Sequence, residues 1–173
     1  MKLSAICADI TTIEADVIVN AANKTLLGGG SVDGAIHRAA GPELLEACRE
    51  LGGARTGQVK FTHAFRLRAQ YIAHAVGPVW EGGNNGEEVA LSACYYRAIR
   101  GAFERECTSI AFPCISTGVY GFPFELAAEL AVDAAMDWDE KDNPIAGNMD
   151  VIFCCFTEKE RAHYQKLIDK VMS

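Results

Sequence analysis

Short apolar runs separated by mixed stretches divide the chain into alternating strands and helices. Runs rich in Val, Ile and Phe predict strands over residues 2–8, 16–20, 58–62, 71–76, 109–113 and 150–156. Between them the spacing of apolar positions changes to the helical period. Leu91, Tyr95, Ala98 and Ala102 recur at i, i+4, i+7 and i+11 with Arg97, Arg100 and Glu104 on other faces, which predicts an amphipathic helix over 87–106. An Ala- and Leu-dense segment after Pro123 predicts a helix over 124–137, and a capping-box pattern from Thr157 to Glu160 opens a last helix reaching Val171. Residues 34–40 and 42–51 read as two short helices, because Gly41-Pro42 cannot continue the first and Gly52-Gly53 stops the second. Residues 80–86, WEGGNNG, are the flexible-looking loop. Strands alternating with helices imply an α/β fold: a three-layer α/β/α sandwich with a mixed, mostly parallel sheet, in which ligands collect at the carboxyl ends of the strands.

Composition narrows this to one unit. A chain of 173 residues with 50% hydrophobic residues and 5 prolines, lacking repeats or a linker, fits a single domain over 1–173. Its first residues carry no basic region followed by a long apolar stretch, and no window approaches the ~18 apolar residues of a membrane span, so the expectation is a soluble, cytoplasmic protein without a membrane partner. Its 7 cysteines are odd in number and lack a Cys-x-x-Cys pair; they read as reduced, small core hydrophobes. His63, His74 and His163 are isolated and show no ligand spacing, so no metal is expected. A net charge of -7 offers no diffuse positive field, which excludes non-specific nucleic-acid binding. A phosphate ligand must therefore be held mainly by backbone N–H groups and helix N-termini. With no obvious seam, a monomer is the default.

Two loops carry that chemistry. Residues 20–37, NAANKTLLGGGSVDGAIH, follow a strand and lead into a helix. Gly28, Gly29 and Gly30 permit close backbone approach and positive φ, and the helix start offers unpaired N–H groups. The loop lacks the Gly-Lys-Ser/Thr ending of a nucleotide-triphosphate loop, and Asp33 occupies the third-glycine position of a dinucleotide fingerprint. Residues 115–122, ISTGVYGF, repeat the strand, glycine loop, helix arrangement. Two such loops at one end of a parallel sheet can grip a diphosphate from both sides with neutral donors.

The segments ADIT (8–11), VIVNAAN (17–23), GGGSVDGAIH (28–37), AHAVGPVW (73–80) and ISTGVYGFP (115–123) resemble the macro domain family across essentially the whole chain. Within it the chain is similar to the MacroD-type branch, whose members remove ADP-ribose from modified acidic side chains and deacetylate O-acetyl-ADP-ribose. The resemblance implies that Asp9, next to Ile10, accepts a hydrogen bond from the adenine amine and that Phe156 stacks on the adenine. Gly28, Gly29, Gly30, Ser31 and Val32 would wrap the diphosphate and distal ribose from one side, and Ser116, Thr117, Gly118, Val119 and Tyr120 from the other. Asn23 would hold the distal ribose, and Asp33 would orient or deprotonate the attacking water. Asn23 and Asp33 are thus the catalytic candidates. The implied partners are ADP-ribose, O-acetyl-ADP-ribose and mono-ADP-ribosylated proteins, with no cofactor.

Simpler roles compete for the same residues. Asp9 and Asp33 each suit a helix N-cap, and Asn20 and Asn23 suit turns, Asn20 being read as structural. His37, one turn from Asp33, is a secondary candidate. Cys114 imitates a thiol nucleophile, but nothing in the sequence sets a base beside it. An unperturbed Asp has a pKa of about 3.9 and is a poor base near neutrality unless its surroundings raise that value. Ser31 and Ala8 depart from the glycines common in the family, which matters only where the backbone needs positive φ or very close approach. The opposing functional class is a reader that binds ADP-ribose without turnover.

Overall fold

The computed structural model describes residues 1–144 and 148–173. Six strands, β1 (Lys2–Cys7), β2 (Val17–Ala22), β3 (Val59–His63), β4 (Tyr71–Val76), β5 (Ser109–Phe112) and β6 (Asp150–Cys155), form one sheet in the order β1-β6-β5-β2-β4-β3. All neighbours run parallel except β3, which is antiparallel to β4. The helices are α1 (Ser31–Ala40), α2 (Glu43–Leu51), α3 (Glu87–Glu104), α4 (Phe124–Lys141) and α5 (Glu158–Met172), with one 3-10 turn at Ile10–Thr12.

Central strands such as VIVNAA and YIAHAV are apolar on both faces because helices cover both. One core joins Val17, Val19, Phe112 and Phe153 of the sheet to Tyr95 of α3, Trp138 of α4 and Tyr164 of α5. The opposite core joins Ile18 and Ile72 to Ile36 of α1 and Leu44 of α2. This is the expected three-layer sandwich. The Leu91, Tyr95, Ala98, Ala102 stripe of α3 is wholly buried, as its period requires.

Two helix boundaries and one loop differ from the sequence reading in ways that bear on the site and core. Helix α1 starts at Ser31 rather than 34, because the backbone turns into the helix immediately after Gly30, with Ser31 at φ +54. Helix α4 continues to Lys141 because Trp138 still faces the core. The loop at 80–86 is less free than its composition suggests. The Glu87 carboxylate curls back and accepts from the N–H groups of Glu81 (2.9 Å), Gly83 (2.9 Å) and Asn85 (2.6 Å). Those donors, Glu81 first, hold its carboxyl down at about 2 against the opposing effect of desolvation.

Helix α5 begins as the sequence indicates. Thr157 Oγ1 accepts from Glu160 N (3.1 Å), and Glu160 Oε1 accepts from Thr157 N (3.1 Å). Thr157→Ala removes the first of these bonds and should lower stability by about 1 kcal/mol, read as a shifted urea midpoint with an unchanged slope.

Candidate active site

Both glycine loops leave the sheet at its carboxyl edge. One follows β2 and the other follows β5, and these strands are neighbours, with Val17 paired to Ile110. The loops consequently face each other across a cleft. It consists of two hollows of about 560 and 400 Å3 that share Ser31, Val32 and Phe156. Ala8, Asp9 and Ile10 wall the larger hollow. In the smaller, Asn23, Gly29, Gly30 and Asp33 lie opposite Ser116–Tyr120.

The donors are backbone groups. Among the described residues, the N–H groups of Ser31, Val32 and Asp33 and those of Thr117, Gly118, Val119 and Tyr120 take no protein partner. The second loop is held instead by its carbonyls. Phe122 N donates to Ser116 O (2.9 Å), Gly121 N to Gly118 O (3.0 Å) and Trp80 N to Tyr120 O (2.8 Å). Val119 is 97% exposed at the rim of the smaller hollow.

At the larger hollow, Asp9 is both cap and wall. Its Oδ1 accepts from the Thr11 hydroxyl (2.7 Å) and the Thr11 N–H (2.9 Å), and these bonds hold its carboxyl below the usual range. Oδ2 has no protein partner among the described residues. Phe156 is 68% exposed on the edge shared by both hollows, and its N–H is fixed by Glu160 Oε1 (3.2 Å). Ala8 keeps an ordinary negative φ, so its departure from glycine costs nothing in the backbone.

At the smaller hollow, Asp33 is the third residue of α1 rather than its cap, and it is buried at 5% exposure. Asn20 Nδ2 donates to Asp33 Oδ1 (2.8 Å). The same amide nitrogen lies 3.2 Å from His74 Nδ1, its register partner on β4, and His74 Nε2 lies 2.9 Å from Thr62 Oγ1. Because Asn20 can only donate here, Nδ1 accepts and the proton sits on Nε2, donated to Thr62. Burial holds His74 neutral by pushing its pKa down to about 3. Burial likewise raises the Asp33 pKa, against the lowering effects of Asn20 and His37. His37 Nε2 stands 3.4 Å from Asp33 Oδ1, so the secondary candidate adjoins the carboxylate.

Asn23 shapes its own loop. Its Oδ1 accepts from Thr25 N (3.1 Å), Thr25 Oγ1 (2.6 Å) and Leu26 N (3.2 Å), while Nδ2 donates one hydrogen to Gly28 O (3.0 Å). The second amide hydrogen remains for a ligand. Gly29 lies between the two catalytic candidates: a Cβ there would be 3.1 Å from Asp33 Oδ2 and 3.3 Å from Asn23 Nδ2. Of the three loop glycines only Gly28 has positive φ, at +93; Gly29 serves close approach instead, and a Cβ on Gly30 would meet no protein atom within 4 Å. Side-chain-bearing residues also take the left-handed region, Leu26 (φ +62) and Ser31 (φ +54) in the first loop and Ser116 (φ +66) in the second, where the buried Ser116 Oγ has no partner among the described residues. Gly77 makes room for that hydroxyl, since a Cβ on it would stand 2.2 Å from Ser116 Oγ.

The structure places the predicted loop residues around one cleft and gives Asn20, read as structural, its partner in Asp33, while His74, Thr62 and Gly77 were not singled out as supports. The available sign was one polar residue at the same place in each of two otherwise apolar strands, VIVNAA and YIAHAV.

Two measurements test this arrangement. The raised Asp33 pKa means that the folded state binds its proton more tightly than the unfolded chain does. Its cost to stability is absent below the ordinary value of 3.8 and sets in as pH rises through the raised value. Asp33→Asn should accordingly be more stable than wild type at neutral pH, with the difference in urea midpoint vanishing below 3.8. Ser31→Gly should relieve the left-handed strain and stabilise by about 0.5–1 kcal/mol after the added unfolded-state entropy is offset, as a raised melting temperature would show.

Comparison with known proteins matches residues 19–131 to the Macro domain family. A macro domain-containing protein of Chlorobaculum tepidum is 54% identical over 168 residues, spanning 96% of this chain and 95% of its own. Human ADP-ribose glycohydrolase MACROD2 is 46% identical over 99% of this chain, which corresponds to 40% of that longer protein. A solved variant of the Oceanobacillus iheyensis macrodomain with ADPR superposes at TM-score 0.91 with 38% identity, covering 98% of this chain and 93% of the other. The family match over residues 19–131 and relatives this similar in sequence and backbone over nearly the whole chain make the chain a member of the Macro domain family.

Proposed function

We propose that the cleft binds ADP-ribose and that the protein is a hydrolase cleaving the ester on the distal ribose. Its substrates would be O-acetyl-ADP-ribose and proteins carrying mono-ADP-ribose on acidic side chains. Support comes from the similarity to an ADP-ribose glycohydrolase and to a macrodomain solved with ADPR. The observation that carries catalysis, rather than binding alone, is the buried Asp33 carboxylate fixed through Oδ1 by Asn20. Loops that only bind a diphosphate need no such group.

In this reading the adenine lies between Phe156 and the Asp9 wall, and the diphosphate meets the N–H groups of the two loops. Asn23 offers its remaining amide hydrogen to the distal ribose. Burial gives Asp33 a higher proton affinity than an exposed carboxylate has, which suits it to accept a proton from water poised between it and the ligand phosphate. Water attacks the ester, and ADP-ribose and the free acid leave.

Release of ADP-ribose from O-acetyl-ADP-ribose and from an ADP-ribosylated glutamate substrate tests this, with calorimetric ADP-ribose binding alongside. Asp33→Ala should lose at least ~100-fold in turnover while still binding. Tight binding by the wild type with no turnover of either substrate would make the protein a reader, and absence of binding would overturn the site.

A further inference from the structure

Three sulfurs line up at the carboxyl edge of the sheet. Cys7 ends β1 in register with Cys155, which ends β6. On the other side β5 pairs with β6 as far as Phe112 opposite Phe153, and Cys114 and Cys155 each lie two residues beyond that last pair. Neighbouring strands lie about 4.8 Å apart, within the span of about 4.4–6.8 Å between Cα atoms that a disulfide bridges. Cys114 and Cys155 join the same core, where the two thiols are close enough to shift each other's titration, and Cys114 Sγ stands 3.9 Å from Cys154 O. Cys7 is the exposed member of the row and turns its thiol to Phe156 O (3.5 Å), which corrects the expectation that every cysteine is a core residue. Hydrolysis uses neither Cys114 nor Cys155, yet both border the cleft, Cys155 at the larger hollow and Cys114 at the smaller.

We propose that Cys114 and Cys155 are an oxidisable pair, closed to a disulfide by a hydroperoxide, and that this bond weakens ligand binding by drawing the second loop toward β6. The neighbouring Cys114 thiol lowers the Cys155 pKa despite burial, so Cys155 is the attacking sulfur, while Cys114 is held protonated. As thiolate, Cys155 attacks one peroxide oxygen; the O–O bond breaks, and the departing oxygen takes up the thiol proton and leaves as water or alcohol. The resulting sulfenic acid is attacked by Cys114 sulfur; the S–O bond breaks, and a water leaves with the Cys114 proton. The two sulfurs together lose two electrons, and the peroxide gains them.

Closing the bond shortens a contact to about 2 Å. The Cys114 carbonyl accepts from Thr117 Oγ1 (3.0 Å), and Ile115 N donates to the Tyr95 hydroxyl (3.2 Å), so movement of Cys114 passes directly into the loop whose N–H groups face the cleft. By reciprocity, a bound ligand should slow closure of the disulfide. The ligand half of this proposal rests on the cleft being an ADP-ribose site, whereas the disulfide does not.

The test treats the full chain with hydrogen peroxide, maps peptides without reduction, and measures ADP-ribose affinity before and after in wild type, Cys155→Ala and Cys114→Ala. The expected result is a Cys114–Cys155 linked peptide and an affinity at least about tenfold weaker in wild type alone, restored by dithiothreitol. Comparing each variant with itself removes any difference in starting affinity. Both thiols staying reduced while other cysteines oxidise, linkage to Cys7 instead, or an equal loss of affinity in the variants would overturn the proposal. If reduced wild type fails to bind ADP-ribose, the functional reading falls, and the peptide map still decides the thiol pair.

Discussion

A carboxylate between a helix and the middle of a parallel sheet is tolerated only if a donor meets it there, and for Asp33 that donor is the Asn20 amide at 2.8 Å. The register of β2 and β4 supplies the rest, because Asn20 and His74 are partners across it. The second Asn20 hydrogen needs an acceptor, and neutral His74 gives one through Nδ1 only while its own proton sits on Nε2 facing Thr62. A protonated His74 would oppose the Asn20 donor and turn it away from Asp33. The depressed His74 pKa, caused by complete burial, is therefore what keeps the Asn20–Asp33 contact in one arrangement. Packing of α2 secures that burial, with Cys48 Sγ 3.7 Å from His74 Nε2.

Much of the fold was legible because its elements follow from local rules. The α3 stripe, the capping box at Thr157 and the stop at Gly41 are short-range patterns, and the structure realises each of them. Both loops were legible for the same reason, as glycines between a strand and a helix. The support behind Asp33 was not, since Asn20, Thr62 and His74 come together only once β2, β4 and β3 are in register, and register is a non-local property. The competing reading of Asp33 as a helix cap is set aside by a smaller margin. The helix begins two residues before it, opened by the bond from Gly34 N to Gly30 O, with Ser31 at its first position in a conformation that side chains rarely adopt.

That conformation recurs, with Ser31 and Ser116 both left-handed on opposite banks of the cleft. Each costs roughly 1–2 kcal/mol relative to an ordinary backbone. Strain of this kind persists only where the surrounding structure over-determines it. Here the wholly buried side chains of Trp138, Tyr95 and Phe112 fix the strands and helices from which the loops depart. Rigidity of the core is converted into a fixed direction for the loop N–H groups.

An acidic chain then manages an anionic ligand without importing cations. Asp33 and the open N–H groups of Ser31 and Val32 share the N-terminal turn of α1, whose dipole favours negative charge. In the proposed complex a diphosphate enters that same turn, and its charge adds to burial in raising the proton affinity of Asp33. In that proposed complex the carboxylate would become a better base as the ligand arrives. Neutral donors suit this coupling better than a lysine would, because a nearby cation would pull the Asp33 pKa down again while strengthening the grip on phosphate.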